Sequence, residues 1–190
     1  MKKIIAIILT LALCLTFCGC GEKQDKNNLN SGNGIDLSAA LTSGKIPELA
    51  VALGTSDEDL KTLHNYNPES EGETGFYIIE EEDYTRYLTD VAEYYIANEN
   101  KNNGVSAIVC FETAFGLNCN TYEKPEDVKN AFPNVEFTEG DLTEDEKLFG
   151  TSAEGATKLS FTHENRKVSF IFLEEQLVSV VLADIDKWSK

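Results

Sequence analysis

Alternation of apolar and polar residues is clearest at the C-terminal end of the chain, where "TKLSFTH" (157–163), "KVSFIFL" (167–173) and "LVSVVLA" (177–183) are β-branched and aromatic runs. The polar stretches Glu164 to Arg166 and Glu174 to Gln176 separate them, so the pattern predicts an antiparallel meander. Between Tyr84 and Tyr95 the spacing is ambiguous. Tyr84, Tyr87, Leu88, Val91, Tyr94 and Tyr95 fall at helical intervals with no Gly or Pro among them. Tyr, Thr, Val and Ile nevertheless favour strands, and the reading adopted is two strands, Tyr84 to Thr89 and Glu93 to Asn98.

Helical signals are short. Thr55 with Glu58 forms a capping box ahead of Leu60 and Leu63. Pro125 suits a first helical position, with Val128, Ala131 and Phe132 behind it. A further short helix is expected to begin at Thr143. The order of helix then strands occurs twice: "SDEDLKTLH" aligns with "KPEDVKNAF", Tyr95-Ile96 with Phe170-Ile171, and "VSAIV" (105–109) with "VSVVL" (178–182). The predicted fold is therefore α+β, a tandem duplication of a short helix followed by antiparallel strands, with the helices packed on one face of the sheet. Its repeats span about 46–119 and 120–186 of a single domain, 35–190.

The longest apolar run lies outside that domain. Lys2 and Lys3 precede Ile4 to Phe17, apolar except for Thr10 and Thr16, as in a secretory signal. The run is shorter than the roughly 20 residues a bilayer core requires. It ends in "LTFCGCG", and a small residue before a cysteine at that point resembles the lipobox of bacterial lipoproteins. The resemblance selects Cys20, after Gly19, for lipid attachment; Cys18 follows the bulky Phe17. It implies a signal peptide over 1–19, diacylglycerol on Cys20 and an extracytoplasmic protein held on the membrane. Residues 21–34, "GEKQDKNNLNSGNG", are then a 14-residue tether with a reach of roughly 20 Å.

Charge narrows the partners. The chain has 16 Lys and Arg against 33 Asp and Glu; cleavage before Cys20 removes Lys2 and Lys3 and no acid, which leaves a net charge of −19. Such a surface repels phosphate backbones and anionic headgroups, so nucleic acid is not an expected partner. A neutral, cationic or cation-bridged envelope protein or glycan is.

The paired "LGTSDEDLKTL" and "YEKPEDVKNAF" blocks and the "VSAIV" and "VSVVL" strands resemble the tandem-repeat fold of β-lactamase inhibitory protein and of small envelope lipoproteins sharing its architecture. That likeness implies a scaffold presenting a sheet or its loops to a protein. The whole chain also resembles small surface lipoproteins of Gram-positive bacteria, a likeness that implies no particular activity.

Chemistry is sparse. There are two histidines, His64 and His163, and no CxxC, HExxH, GxSxG or phosphate-loop spacing, so neither a metal nor another cofactor is expected. The acidic runs Glu80 to Asp83 and Glu139 to Glu146 lack the spacing of a calcium loop and read as solvated surface. In "CFETAFGLNC" a turn at Ala114-Phe115 would set Cys110 opposite Cys119 for a disulfide; the other reading is two buried free thiols. The expected function is non-enzymatic binding of a protein or glycan through the aromatics Phe76, Tyr77, Tyr84, Tyr87, Tyr94 and Tyr95, provided that they form one exposed patch. An envelope hydrolase using carboxylates, or a small-ligand receptor, is the alternative.

Overall fold

The computed structural model describes residues 34–190 apart from 71–74, 100–103, 143–145, 147–153 and 189–190. The expected signal, Cys20, nearly all of the tether and the helix start at Thr143 lie outside the described residues.

The predicted strands form, and they dominate. Eight make one antiparallel sheet in the order β1-β2-β3-β4-β10-β9-β8-β7. The strands are β1 (Tyr77–Glu80), β2 (Tyr84–Leu88), β3 (Ala92–Ala97), β4 (Ala107–Cys110), β7 (Thr138–Asp141), β8 (Thr157–His163), β9 (Arg166–Leu173) and β10 (Gln176–Asp184). A small separate hairpin is made by β5 (Thr113–Ala114) and β6 (Leu117–Asn118). Thus β1–β4 and β7–β10 are two meanders that meet where β4 pairs antiparallel with β10, Ile108 opposite Leu182. The segment from Tyr84 to Tyr95 is two strands, with Tyr87 opposite Tyr94.

The α-helices with described bounds are α1 (Leu37–Ser43), α2 (Asp57–Leu63), α3 (Pro125–Ala131) and a final turn, α4 (Ile185–Trp188). This corrects the expected α+β arrangement of two helix-plus-sheet halves: the molecule is mainly one large antiparallel sheet. The first three helices have seven residues each, and α2 buries only Leu60 while α3 buries Val128 and Ala131. Two turns of helix offer too narrow an apolar stripe to form a layer. Much of the first face is covered instead by loop and hairpin side chains, among them Ile46, Leu49, Val51, Phe115 and Phe132, which join Tyr87, Tyr94, Ile108, Phe170, Phe172 and Leu182 in the main core.

Strand alternation sends the intervening residues to the second face, where Tyr95, Ala107, Val109, Ile171, Val181 and Ala183 cluster with Leu142 and Ala156. Long-range pins fix the coverings. The Arg166 guanidinium donates to the carbonyls of Leu41 (2.6 Å) and Thr42 at the end of α1. Glu48 accepts the N–H groups of Phe115 (2.9 Å) and Gly116 (2.7 Å), fastening the β5–β6 hairpin to the loop after α1.

Candidate functional site

The start of α2 builds a cleft. Its N-cap is Ser56, one residue later than the expected Thr55: Ser56 Oγ accepts from the Asp59 N–H (3.1 Å) and donates to Asp59 Oδ2 (2.7 Å). Asp57, Glu58 and Asp59 thus occupy the first turn, where the helix dipole favours carboxylates. Asp57 faces the sheet. Its Oδ1 accepts from the Tyr87 hydroxyl (2.8 Å) and its Oδ2 pairs with Lys61 Nζ (2.9 Å).

Between α2 and β1–β3 this leaves an open cavity of about 420 Å³. Ile78, Ile96 and the Tyr87 ring supply apolar lining; Glu58 and Glu80 stand at its walls with Ser56 and Thr85. Among the described residues three carboxylates, Asp57, Glu58 and Glu80, line it against one cation, Lys61. Burial, and then the bond to Asp57, hold the Tyr87 phenol well above its ordinary pKa, so it stays a neutral donor. Asp57 is already committed to two partners and is a positioning group. The arrangement can hold a cationic head over an apolar floor.

The aromatics expected to form a binding patch do not. Tyr87, Tyr94 and Tyr95 are 3%, 2% and 0% exposed, and Phe76 is buried with them. They also divide between faces: Tyr87 and Tyr94 point into the main core, whereas Tyr95 lies on the second face with half-buried Tyr84, ring centroids 5.5 Å apart. The Tyr95 hydroxyl donates to Glu93 Oε2 (2.5 Å), and burial raises the phenol pKa of Tyr94 to about 12. Tyr77 is the exposed member of the expected set.

Cys110 and Cys119 are buried free thiols. The hairpin turns at Phe115-Gly116, with φ of 55° and 74°, one residue later than expected. That register sets Glu112, whose carbonyl accepts the Cys119 N–H (2.6 Å), across from Cys119 in place of Cys110. The Cys119 Sγ lies 3.7 Å from the Cys110 carbonyl oxygen. Desolvation pushes the Cys119 thiol up to about 12 and the Cys110 thiol upward as well.

His64 caps α2 through its backbone N–H while its ring stacks on Phe76 (4.8 Å, 11°); burial lowers its pKa. His163 stacks on Phe161 (6.5 Å, 14°). Among the described residues no group of three or more His, Cys, Asp or Glu is arranged to hold a metal ion.

Sequence reading missed the polar node around Glu146, described below, and the Asp57–Tyr87 and Glu48–Phe115 contacts. These join residues 30 and 67 positions apart and leave no local pattern.

No protein-family model matches the chain, and no curated protein does. Among solved structures, the chain is similar to a DUF4309 family protein (YjgB) from Bacillus subtilis subsp. subtilis str. 168, at 11% identity and a TM-score of 0.44, over 78% of this chain and 93% of that one.

Proposed function

We propose that the protein is a lipid-anchored extracytoplasmic binding module that captures an envelope partner by a cationic side chain or segment seated in the α2/β1–β3 cleft. The observation that supports this reading is the cleft itself: three carboxylates and one lysine around an apolar floor, on a chain of formal net charge −17. A site of this kind favours an amine or guanidinium borne on an apolar stem, the chemistry of a lysine or arginine side chain. Attachment through Cys20 would hold the start of the folded domain roughly 20 Å from the tether's membrane end. Two acyl chains are needed for a stable hold, since a single one is marginal.

The test is a crosslinking pull-down from the producing cell's envelope with the full chain as bait, against Glu58→Gln/Glu80→Gln. Both side chains stand at the cleft's rim, so the double variant removes charge without disturbing the Asp57–Tyr87 bond. Capture of one partner by the native chain, lost in the double variant and weakened by salt, supports the reading. Equal capture by both chains refutes it. The anchor is tested separately by metabolic labelling with a radioactive fatty acid, which Cys20→Ala must abolish.

A further inference from the structure

A different polar cluster lies at the other end of the sheet, on the second face. Lys158 and Ser160 of β8 and Lys167 and Ser169 of β9 sit at alternate positions on adjacent strands, with Ser160 and Ser169 register partners. All four therefore project to the same side. Into their midst Glu146, from the connection after β7, delivers a carboxylate that is only 3% exposed. Lys158 donates to its Oε2; Lys167 (2.8 Å) and the Ser169 hydroxyl (3.1 Å) meet its Oε1. The Ser160 and Ser169 hydroxyl oxygens are 3.1 Å apart, which orients the second of these donors.

Two features set this cluster apart from an ordinary structural ion pair. The charges are unequal: among the described residues two ammonium groups, Lys158 and Lys167, face one carboxylate, within a chain of net −17. The donors also stand on paired strands, Ser160 opposite Ser169 with Lys158 and Lys167 each two positions away at opposite ends of the pair, so their spacing is set by the sheet and not by the residue they hold. Lys158 is itself 10% exposed. A sheet-built pair of ammonium groups with a hydroxyl between them is chemically a carboxylate receptor.

We propose that Lys158, Lys167, Ser160 and Ser169 form a carboxylate-binding site that Glu146 fills in cis, and that a free carboxylate ligand takes Glu146's place. The site is independent of the acidic cleft. A tethered carboxylate has an effective concentration in the millimolar range or above, so a competing ligand must be concentrated or carry several carboxylates.

Glu146→Ala removes the carboxylate and one methylene, an acetate-sized group. Thermal unfolding of the full-length variant is followed in acetate and in chloride at equal ionic strength. Acetate is expected to raise the variant's Tm saturably, by about 3–6 °C at tenfold excess over Kd, and to leave the unmodified chain unmoved relative to chloride. Adding Lys158→Met must remove the response. If acetate and chloride act alike on Glu146→Ala, the site is not preformed and the proposal is overturned. Should that variant fail to fold in either salt, the unmodified chain decides. Citrate must then speed hydrogen exchange of the Glu146-bearing peptide beyond sulfate at matched ionic strength; no difference overturns the proposal.

Discussion

Gly104 is the position at which a single methyl group should do the most damage. It lies just before β4 with φ +70°, and a Cβ built there would stand 2.4 Å from the backbone oxygens of both Gly54 and Thr55. Those carbonyls cannot swing aside, because the two segments are laced together: Val105 N–H donates to Thr55 O (2.8 Å) and Gly54 N–H to Val105 O (2.7 Å). An alanine at Gly104 carries the left-handed backbone cost of about 1–2 kcal/mol. It must also part the two segments, and each backbone hydrogen bond lost costs a further 0.5–1.5 kcal/mol or so. The total is about 2–5 kcal/mol. Gly54→Ala is the internal control, since it shares the positive φ (+87°) yet meets nothing within 4 Å, so only the backbone cost of about 1–2 kcal/mol applies. Urea unfolding of both variants should place Gly104→Ala lower by about 1–3 kcal/mol with an unchanged m-value. The loop being displaced leads directly into Ser56 and α2, so the Asp57–Tyr87 bond should weaken with it. Equal midpoints for the two variants would refute the steric reasoning.

Three further outcomes follow from the buried polar groups. Tyr87→Phe removes the hydroxyl bound to Asp57; with that carboxylate 43% exposed and able to take water, the loss should be about 1 kcal/mol, or 2–4 °C in Tm. Desolvation raises the phenol pKa of Tyr94 to about 12 and also lifts Tyr87 and Tyr95. These phenols therefore favour the folded state most fully below the unfolded value of about 10, and that contribution is lost as pH rises through the folded values; urea midpoints should fall above pH ~10, less steeply for Tyr87→Phe. Cys110 and Cys119, buried with raised pKa, should resist maleimide in the folded chain at pH ~8 and both react in urea without reductant. Failure of either to react in urea would show a disulfide.

Strands were legible where both faces of the sheet are covered. β9 and β10 read as near-continuous apolar runs because their residues are packed from two sides, as Phe170 and Phe172 on the first face and Ile171 on the second illustrate, whereas β8 alternates. The same double burial hid the register. The alignment of Tyr95-Ile96 with Phe170-Ile171 pairs a second-face residue with a first-face one, and Val109 with Leu182 repeats the error. A shift of one residue exchanges faces, and apolar residues on both sides give no pattern to forbid it. The tyrosines misled for a related reason. Tyr87, Tyr94 and Tyr95 bury their rings and satisfy two of the hydroxyls with Asp57 and Glu93, so a cluster that looked like a contact surface is core.

The cleft was illegible for another reason, and it bears on where binding can occur. Its parts come from α2, β1, β2 and β3, and each alone reads as something ordinary: an acidic first helical turn, an isoleucine pair, a strand tyrosine. Only the docking of α2 through Asp57 onto Tyr87 turns the exposed carboxylates Glu58 and Glu80 toward a shared apolar floor. The helix's shortness helps. At seven residues, with Leu60 as its only buried side chain, α2 leaves half-buried Ile78, beside the buried Ile96, bordered by charge at the β1–β3 side of the cleft. A longer helix with a full apolar stripe would close over that floor and replace the cleft with core. The feature that removes the expected helix layer is thus the one that leaves room for a partner.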